Sequence, residues 1–184
     1  AKQMIWGFFM KLCVADVLSE YVDAVYNNVP SHNGTSLLLA TLFFTFQIYC
    51  DFGGYSNIAI GASKIMGFNL MENFHRPYLS LSMKEFWKRW HISLSSWFMD
   101  YVYIPLGGNR CRYGRHLLNL LITFLVSGIW HGANWTFVLW GAYHGLFVCL
   151  NNLKTRLFGK PQRPLRLLRI PLTFALAAFG WIFF

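Results

Sequence analysis

Apolar and polar positions fall along this chain in blocks, and the blocks set the elements it predicts. Residues 4–17 are apolar apart from Lys11 and Asp16. That run is shorter than the roughly 20 residues a simple membrane span needs, so it predicts a short span or an interfacial helix. The stretch that follows, to Gly34, carries Asp16, Glu20 and Asp23 with no Lys or Arg and closes on Pro30 and Asn33-Gly34, turn signals that predict an external loop. Residues 35–50 form an apolar run interrupted only by Gln47, and residues 58–68 form a second, shorter one. Between them Asp51-Phe52-Gly53-Gly54-Tyr55-Ser56 predicts a broken helix. Such breaks are tolerated at membrane depth only where protein or a wet cavity satisfies the freed backbone. The break is therefore a cavity candidate, with a plain cytoplasmic turn as the alternative.

Further on, Ser82-Met83-Lys84-Glu85 has the capping-box form of a helix start. From there Met83, Phe86, Trp87, Trp90, His91, Leu94, Trp97, Phe98 and Tyr101 keep the i, i+3, i+4, i+7 rhythm of one helix face. Lys84, Glu85, Lys88, Arg89, Ser93, Ser95, Ser96 and Asp100 lie off that stripe, a pattern that predicts one amphipathic helix lying in or under the membrane interface. Residues 117–150 are apolar and lie between two basic stretches, which predicts a re-entrant pair turning near Gly132-Ala133-Asn134. Each limb would be about 14–16 residues, or about 21–24 Å, short of a hydrocarbon thickness of about 30 Å, so the turn is expected at membrane depth. Residues 170–184 begin another outward span.

Composition supports bilayer over water as the solvent. Only 12% of residues are charged and 55% are hydrophobic, whereas a soluble domain carries about a quarter charged. The aromatic share of 19% fits rings at membrane interfaces. The formal charge of +9 would suit nucleic acid if it formed a separable basic stripe. It does not: Arg76, Lys84, Lys88, Arg89, Arg110, Arg112 and Arg115 cluster in 76–115, and Lys154, Arg156, Lys160, Arg163, Arg166 and Arg169 in 154–169. That distribution matches cytoplasmic loops, so no nucleic-acid partner is expected. Cys13, Cys50, Cys111 and Cys149 lack the paired spacing of metal or redox motifs, and no metal is expected. The expected fold class is all-α, a polytopic transmembrane helical protein with short, broken and re-entrant helices. Residues 1–184 read as one segment, and both ends read as cut from a longer protein.

His131 is the first candidate for chemistry. It lies at the predicted turn in Ser127-Gly128-Ile129-Trp130-His131-Gly132-Ala133-Asn134-Trp135, with no acidic or basic residue from Leu117 to Tyr143 other than itself. An ionisable group so placed is a functional candidate by default, and a neutral imidazole with a free nitrogen can act as general base. Small neighbours leave room for a substrate, Trp130 and Trp135 could wall the site, and Asn134 could orient the ring or a carbonyl oxygen. The bland alternative is a histidine satisfied by a neighbouring helix. His91 is the second candidate, the strongly polar side chain on the apolar stripe, placed to contact a donor or support His131; its alternative is an interfacial histidine with one hydrogen bond. Pro105-Leu106-Gly107-Gly108-Asn109-Arg110 is a turn whose backbone amides, with Asn109 and Arg110, could hold a donor phosphate, or it is a simple basic loop. Phosphate-loop, dinucleotide and nucleophile-elbow signatures are absent, so nucleotide hydrolysis and a serine-hydrolase triad lack support.

With these residues in view, the chain resembles the membrane-bound O-acyltransferase superfamily, in its alginate O-acetyltransferase branch. Carrying the resemblance are Tyr49-Cys50-Asp51-Phe52-Gly53-Gly54-Tyr55-Ser56, Glu72-Asn73-Phe74-His75-Arg76-Pro77-Tyr78, Glu85-Phe86-Trp87-Lys88-Arg89-Trp90-His91, Asp100-Tyr101-Val102-Tyr103-Ile104-Pro105-Leu106-Gly107-Gly108-Asn109-Arg110, and the segment around His131. The resemblance implies that His131 matches the active-site histidine and His91 the second characteristic histidine. It implies a helical fold around a central tunnel, with Asp51 and Asp100 joining Trp130, Asn134 and Trp135 as substrate or tunnel contacts. It also implies a bacterial inner-membrane, multi-pass location, a cytoplasmic acetyl-CoA donor with no bound cofactor, and a periplasmic acetyltransferase partner that passes acetyl to an alginate-like exported polysaccharide. D-alanyl or other acyl transfer to an envelope polymer is the near alternative. Met99 departs from the branch, which has Arg there. Two rivals come from other classes: a transporter in which His131 serves a proton relay, favoured by broken helices, and a structural membrane subunit.

Overall fold

The computed structural model describes residues 1–159 and 166–184. It divides into two compact units, residues 1–73 and 74–184, and no strand occurs among the described residues. The expected all-α class holds.

In the first unit α1 (Lys2–Phe8), a π-helical stretch (Phe9–Ala15) and α2 (Asp16–Tyr26) follow one another with helical backbone angles at each junction, and they pack along α3 (Gly34–Ile65). Asp16, Glu20 and Asp23 thus stand on a helix, not in an external loop; the run of Val, Leu, Tyr and Ala between them gives α2 an apolar face to bury, with Val22 and Val25 inside. Asn33 caps α3, its side chain accepting from the Ser36 amide at 2.9 Å. The helix then runs unbroken for 32 residues, about 48 Å, straight through Asp51–Ser56. The expected break is absent because Gly54 serves close packing instead of a turn. A Cβ on Gly54 would lie 2.7 Å from the Gly7 carbonyl, and one on Gly7 would lie 2.6 Å from the Gly54 carbonyl, so two backbones touch where side chains would hold them apart. Polar groups bind the same seam: Gln3 Nε2 donates to Asn57 Oδ1 at 3.2 Å and Lys64 Nζ to Gln3 Oε1 at 3.1 Å.

In the second unit Ser82 accepts from the Glu85 amide at 3.2 Å, and Glu85 accepts from the Leu81 amide at 2.8 Å, so the capping signal is realised. The helix it starts is short, however. α4 (Met83–Arg89) ends at an extended Trp90, His91 takes a left-handed backbone with φ 47°, and α5 (Ile92–Phe98) begins beyond it. The single amphipathic helix expected over this stretch is therefore two. The carbonyls freed at the break have outside partners: Arg89 O accepts from the His75 amide at 2.9 Å and Trp90 O from Ser95 Oγ at 3.2 Å. Nor does α4 stand apart as an interfacial helix. Lys84 Nζ donates to Asn152 Oδ1 at 2.9 Å and the Trp87 ring meets Trp140 and His144, so α4 runs beside α7.

A π-helical turn (Met99–Tyr103) and a loop lead to α6 (Tyr113–His131), which turns at Gly132–Ala133 into α7 (Trp135–Phe158). The hairpin turns where expected. Its limbs are longer than expected, 19 and 24 residues, or about 28 and 36 Å, because the polar flanks 113–116 and 151–158 continue the helices. The apolar part of α6, residues 117–131, keeps the expected length of about 22 Å. Gly128 and Gly141 make the crossing close: a Cβ on Gly128 would strike the Phe137 carbonyl, and one on Gly141 the Phe124 carbonyl. α8 (Arg166–Gly180) and a 3-10 turn (Trp181–Phe183) close the unit. Among the described residues α3 alone is both long and apolar enough to cross a membrane. Lys160 and Arg163 of the second basic stretch lie outside the described residues.

Candidate active site

His131 is the last residue of α6, placed there because Gly132 ends the helix and Asn134 starts the next one. Four aromatic rings surround its imidazole. Trp130, Trp140 and Phe184 meet it edge-on with centroids at 5.0 Å, and Phe137 lies at 6.2 Å. The ring is half-buried. Among the described residues neither of its nitrogens is hydrogen-bonded, so a lone pair is open to a proton.

His91 is brought to the same place. The two imidazoles are near enough for a charge on one to act on the other. The positive φ matters here. Left-handed backbone is uncommon for a residue with a Cβ, and such geometry clusters at functional sites.

The other expected contacts divide. Trp130 packs against His131, and its ring also meets Phe98, with centroids at 6.4 Å. Asn134 does not orient the ring through its oxygen. Its Oδ1 accepts from the Thr136 amide at 3.2 Å and caps α7, a use that its place before a helix start explains. Trp135 is 80% exposed and stands outside the ring cluster, because the first turn of α7 points it outward. Asp51 belongs to the first unit, where it pairs with Lys11 at 2.6 Å; Lys11 also meets Asp16 at 2.9 Å. Asp100 is exposed on the π-helical turn.

Asn109 and Arg110 are exposed in the loop before α6, where Gly107 and Gly108 take φ of 105° and 53°. The loop is pinned from α6, since the buried Asn119 donates to Gly108 O at 3.2 Å. Near it Tyr103 and His116 share a hydrogen bond of 2.8 Å, and the Arg156 guanidinium lies 3.9 Å over the Tyr113 ring. Basic groups thus gather where α6 begins and α7 ends, the end of the hairpin opposite His131. There burial, and then the charge of Lys88, lower the Lys84 pKa.

Sequence reasoning missed two groups. Phe184 packs on His131 from a position far along the chain, and periodicity carries no signal for that. His144 is wholly buried among Trp87, Trp140 and Tyr143; a lone histidine thirteen residues beyond His131 in an apolar helix was the available sign.

An imidazole with an open nitrogen, near a second imidazole and inside an aromatic wall, can take up and release a proton. The chain belongs to the membrane-bound O-acyltransferase family, whose pattern matches residues 2–184, and it is a membrane protein. It is 45% identical to "Probable alginate O-acetylase AlgI" of Azotobacter vinelandii over 97% of this chain and 35% of that protein. It is 36% identical to "Peptidoglycan O-acetyltransferase" of Helicobacter pylori over 97% of this chain and 34% of that protein. Identity to "Teichoic acid D-alanyltransferase" of Bacillus subtilis is 30%, over 97% of this chain and 48% of that protein. The chain thus spans less than half the length of each.

Proposed function

We propose that this chain carries the histidine centre of an O-acyltransferase that moves acetyl from a cytoplasmic thioester, acetyl-CoA, toward a hydroxyl of an exported, alginate-like polysaccharide. The observation that carries the reading is His131, with a ring nitrogen open to substrate and His91 beside it. His131 takes the hydroxyl proton as the oxygen attacks the thioester carbonyl. The new C–O bond forms, the C–S bond breaks, and the departing thiolate receives the proton from His131. General-base help of this kind is worth about 10² to 10⁴ in rate, and positioning supplies further acceleration. Asn109 and Arg110, in the loop at the basic end, contact the donor phosphates.

The relatives named for alginate and peptidoglycan O-acetylation support acetyl as the group moved. The relative named for D-alanyl transfer keeps a second reading in view, in which the same histidine serves D-alanyl transfer to an envelope polymer. A transporter loses the break expected within α3, which is continuous, and keeps the one at His91. The protein sits in the bacterial inner membrane as a multi-pass protein with the basic groups where α6 begins and α7 ends facing the cytoplasm, while residues 91–98 reach toward His131, and a periplasmic acetyltransferase takes the acetyl onward.

The test is ester-linked acetate on exported polysaccharide from cells making wild type or His131→Ala at matched membrane levels. Loss of at least 100-fold is expected. Unchanged acetate would remove His131 from the chemistry; unchanged acetate with altered D-alanine on envelope polymers would move the assignment to the second reading.

A further inference from the structure

α6 buries the amide of Asn119 beneath the loop that precedes the helix. The side chain is wholly buried, and it stands three residues beyond His116, on the same face of the helix. Its Nδ2 donates to Gly108 O at 3.2 Å and to Cys111 Sγ at 3.7 Å, and Cys111 Sγ donates to Gly108 O at 3.4 Å. One buried amide therefore grips the loop on both sides of Asn109 and Arg110, the residues proposed above to meet the donor phosphates. The stem of the loop is tied to the same helix face. Tyr103 Oη and His116 Nδ1 share a bond of 2.8 Å, and the Gly108 amide donates to Tyr103 O at 2.9 Å.

Packing alone does not explain an amide at 119. Its Oδ1 is buried without a hydrogen-bond partner among the described residues, and an unpaired buried acceptor is destabilising. With leucine there, that orphan would vanish and Gly108 O would keep the Cys111 thiol as a donor. What the amide adds is a fixed conformation for an exposed loop. Within the loop, the Gly107, Gly108 and Arg110 amides donate to Ile104 O, Tyr103 O and Gly107 O. The Asn109 and Cys111 amides, on either side of Arg110, have no partner among the described residues. Two open amides and a guanidinium suit an oxyanion. They bind it well only if the loop is held ready, because ordering a loop at the moment of binding weakens affinity.

We infer that Asn119 is a positioning residue for donor recognition, its buried amide holding the Asn109–Arg110 loop in the conformation that receives an oxyanion of the thioester donor. The inference rests on the proposed contact of Asn109 and Arg110 with the donor phosphates. Asn119 itself touches neither donor nor acceptor.

The experiment measures kcat and KM in the full-length protein for two thioesters: acetyl-CoA, and S-acetyl-N-acetylcysteamine, which carries the same acetyl group and no phosphate. The ratio of their kcat/KM values reports what the phosphate-bearing part contributes; general damage to the fold lowers both values and leaves the ratio. Wild type is expected to favour acetyl-CoA, and Arg110→Ala to lose most of that preference. Asn119→Leu is expected to lower the ratio about ten-fold, through KM for acetyl-CoA and not through kcat. A fall smaller than roughly three-fold overturns the inference, as does an equal loss with both thioesters. If Asn119→Leu does not accumulate in membranes, Cys111→Ala decides, since it removes the sulfur between the amide and Gly108 O and leaves Asn119 in place. A ratio lowered roughly three-fold or more then supports the inference, and a smaller change or failure to accumulate overturns it. Absence of preference in wild type, or its survival in Arg110→Ala, would sink the donor contact proposed above. Preference lost in Arg110→Ala and kept in Asn119→Leu sinks only this inference.

Discussion

At the scale of single residues, His91 couples backbone conformation to side-chain placement. A left-handed backbone costs a residue with a Cβ roughly 1–2 kcal/mol, and glycine escapes that cost. His91, at φ 47°, tolerates the conformation because the break it forms lets α4 and α5 diverge and brings its ring toward His131. The backbone and the ring can be separated by substitution. His91→Gly keeps the turn and relieves about 1 kcal/mol of strain, while His91→Ala keeps the strain; both remove the imidazole. Thermal unfolding in detergent is expected to rank glycine above alanine. Acyl transfer is expected to fall in both if the ring supports His131. Wild-type transfer in His91→Gly would show that only the turn is needed.

At the scale of elements, glycine positions decide how closely helices approach. Gly141 on α7 faces the Phe124 carbonyl of α6, and backbone cannot move aside as a flexible side chain can. Gly141→Val is expected to cost about 3 kcal/mol or more, at the upper end for overpacking, and to lower the amount of folded protein in membranes. Gly114, near the start of α6, has nothing within 4 Å of its absent Cβ; Gly114→Ala is expected to stabilise the protein by up to about 1 kcal/mol. Equal melting behaviour of the two variants would refute this account of the hairpin. The same glycines explain what the sequence did and did not reveal. Ser82 and Asn33 were legible as caps or turn signals because capping is local, and the turn at 132–134 was legible because polarity changes there. Gly53-Gly54 misled because a glycine pair reads the same whether it ends a helix or lets another helix touch it, and only the partner, Gly7, distinguishes the two. His91 misled in the opposite direction. Its stripe was continuous, and the break depends on His75 and Ser95 taking up carbonyls that periodicity cannot see.

At the scale of the whole second unit, α6 and α7 separate two chemistries along one axis. Lys84, Arg156 and the loop with Arg110 gather at the end where α6 begins, as the Lys84–Asn152 and Arg156–Tyr113 contacts require, and His131 stands at the other. The 19 residues of α6 reach about 28 Å, so the helix carries its turn to the far surface of a hydrocarbon layer of about 30 Å only with its polar first turn, 113–116, drawn toward that layer. Lys and Arg bias their end toward the cytoplasm; under the proposed acyl transfer, that leaves His131 toward the side where an exported polymer would be reached and Arg110 toward the side where a cytoplasmic thioester would be held. With that first turn so placed, the turn at 132–134 is expected at the periplasmic surface, not within the bilayer. With the native cysteines of the full protein replaced by serine, Arg110→Cys should react with a membrane-impermeant maleimide only from the cytoplasmic side. Ala133→Cys, beside the exposed Asn134 and Trp135, should react from the periplasmic side. Labelling of Ala133→Cys from the cytoplasm alone would restore the shallow re-entrant hairpin, and the acceptor hydroxyl would then have to enter the bilayer to meet His131. Because the two geometries give opposite labelling of the same cysteine, this measurement determines whether the hairpin carries the acyl group across the membrane or receives the acceptor inside it.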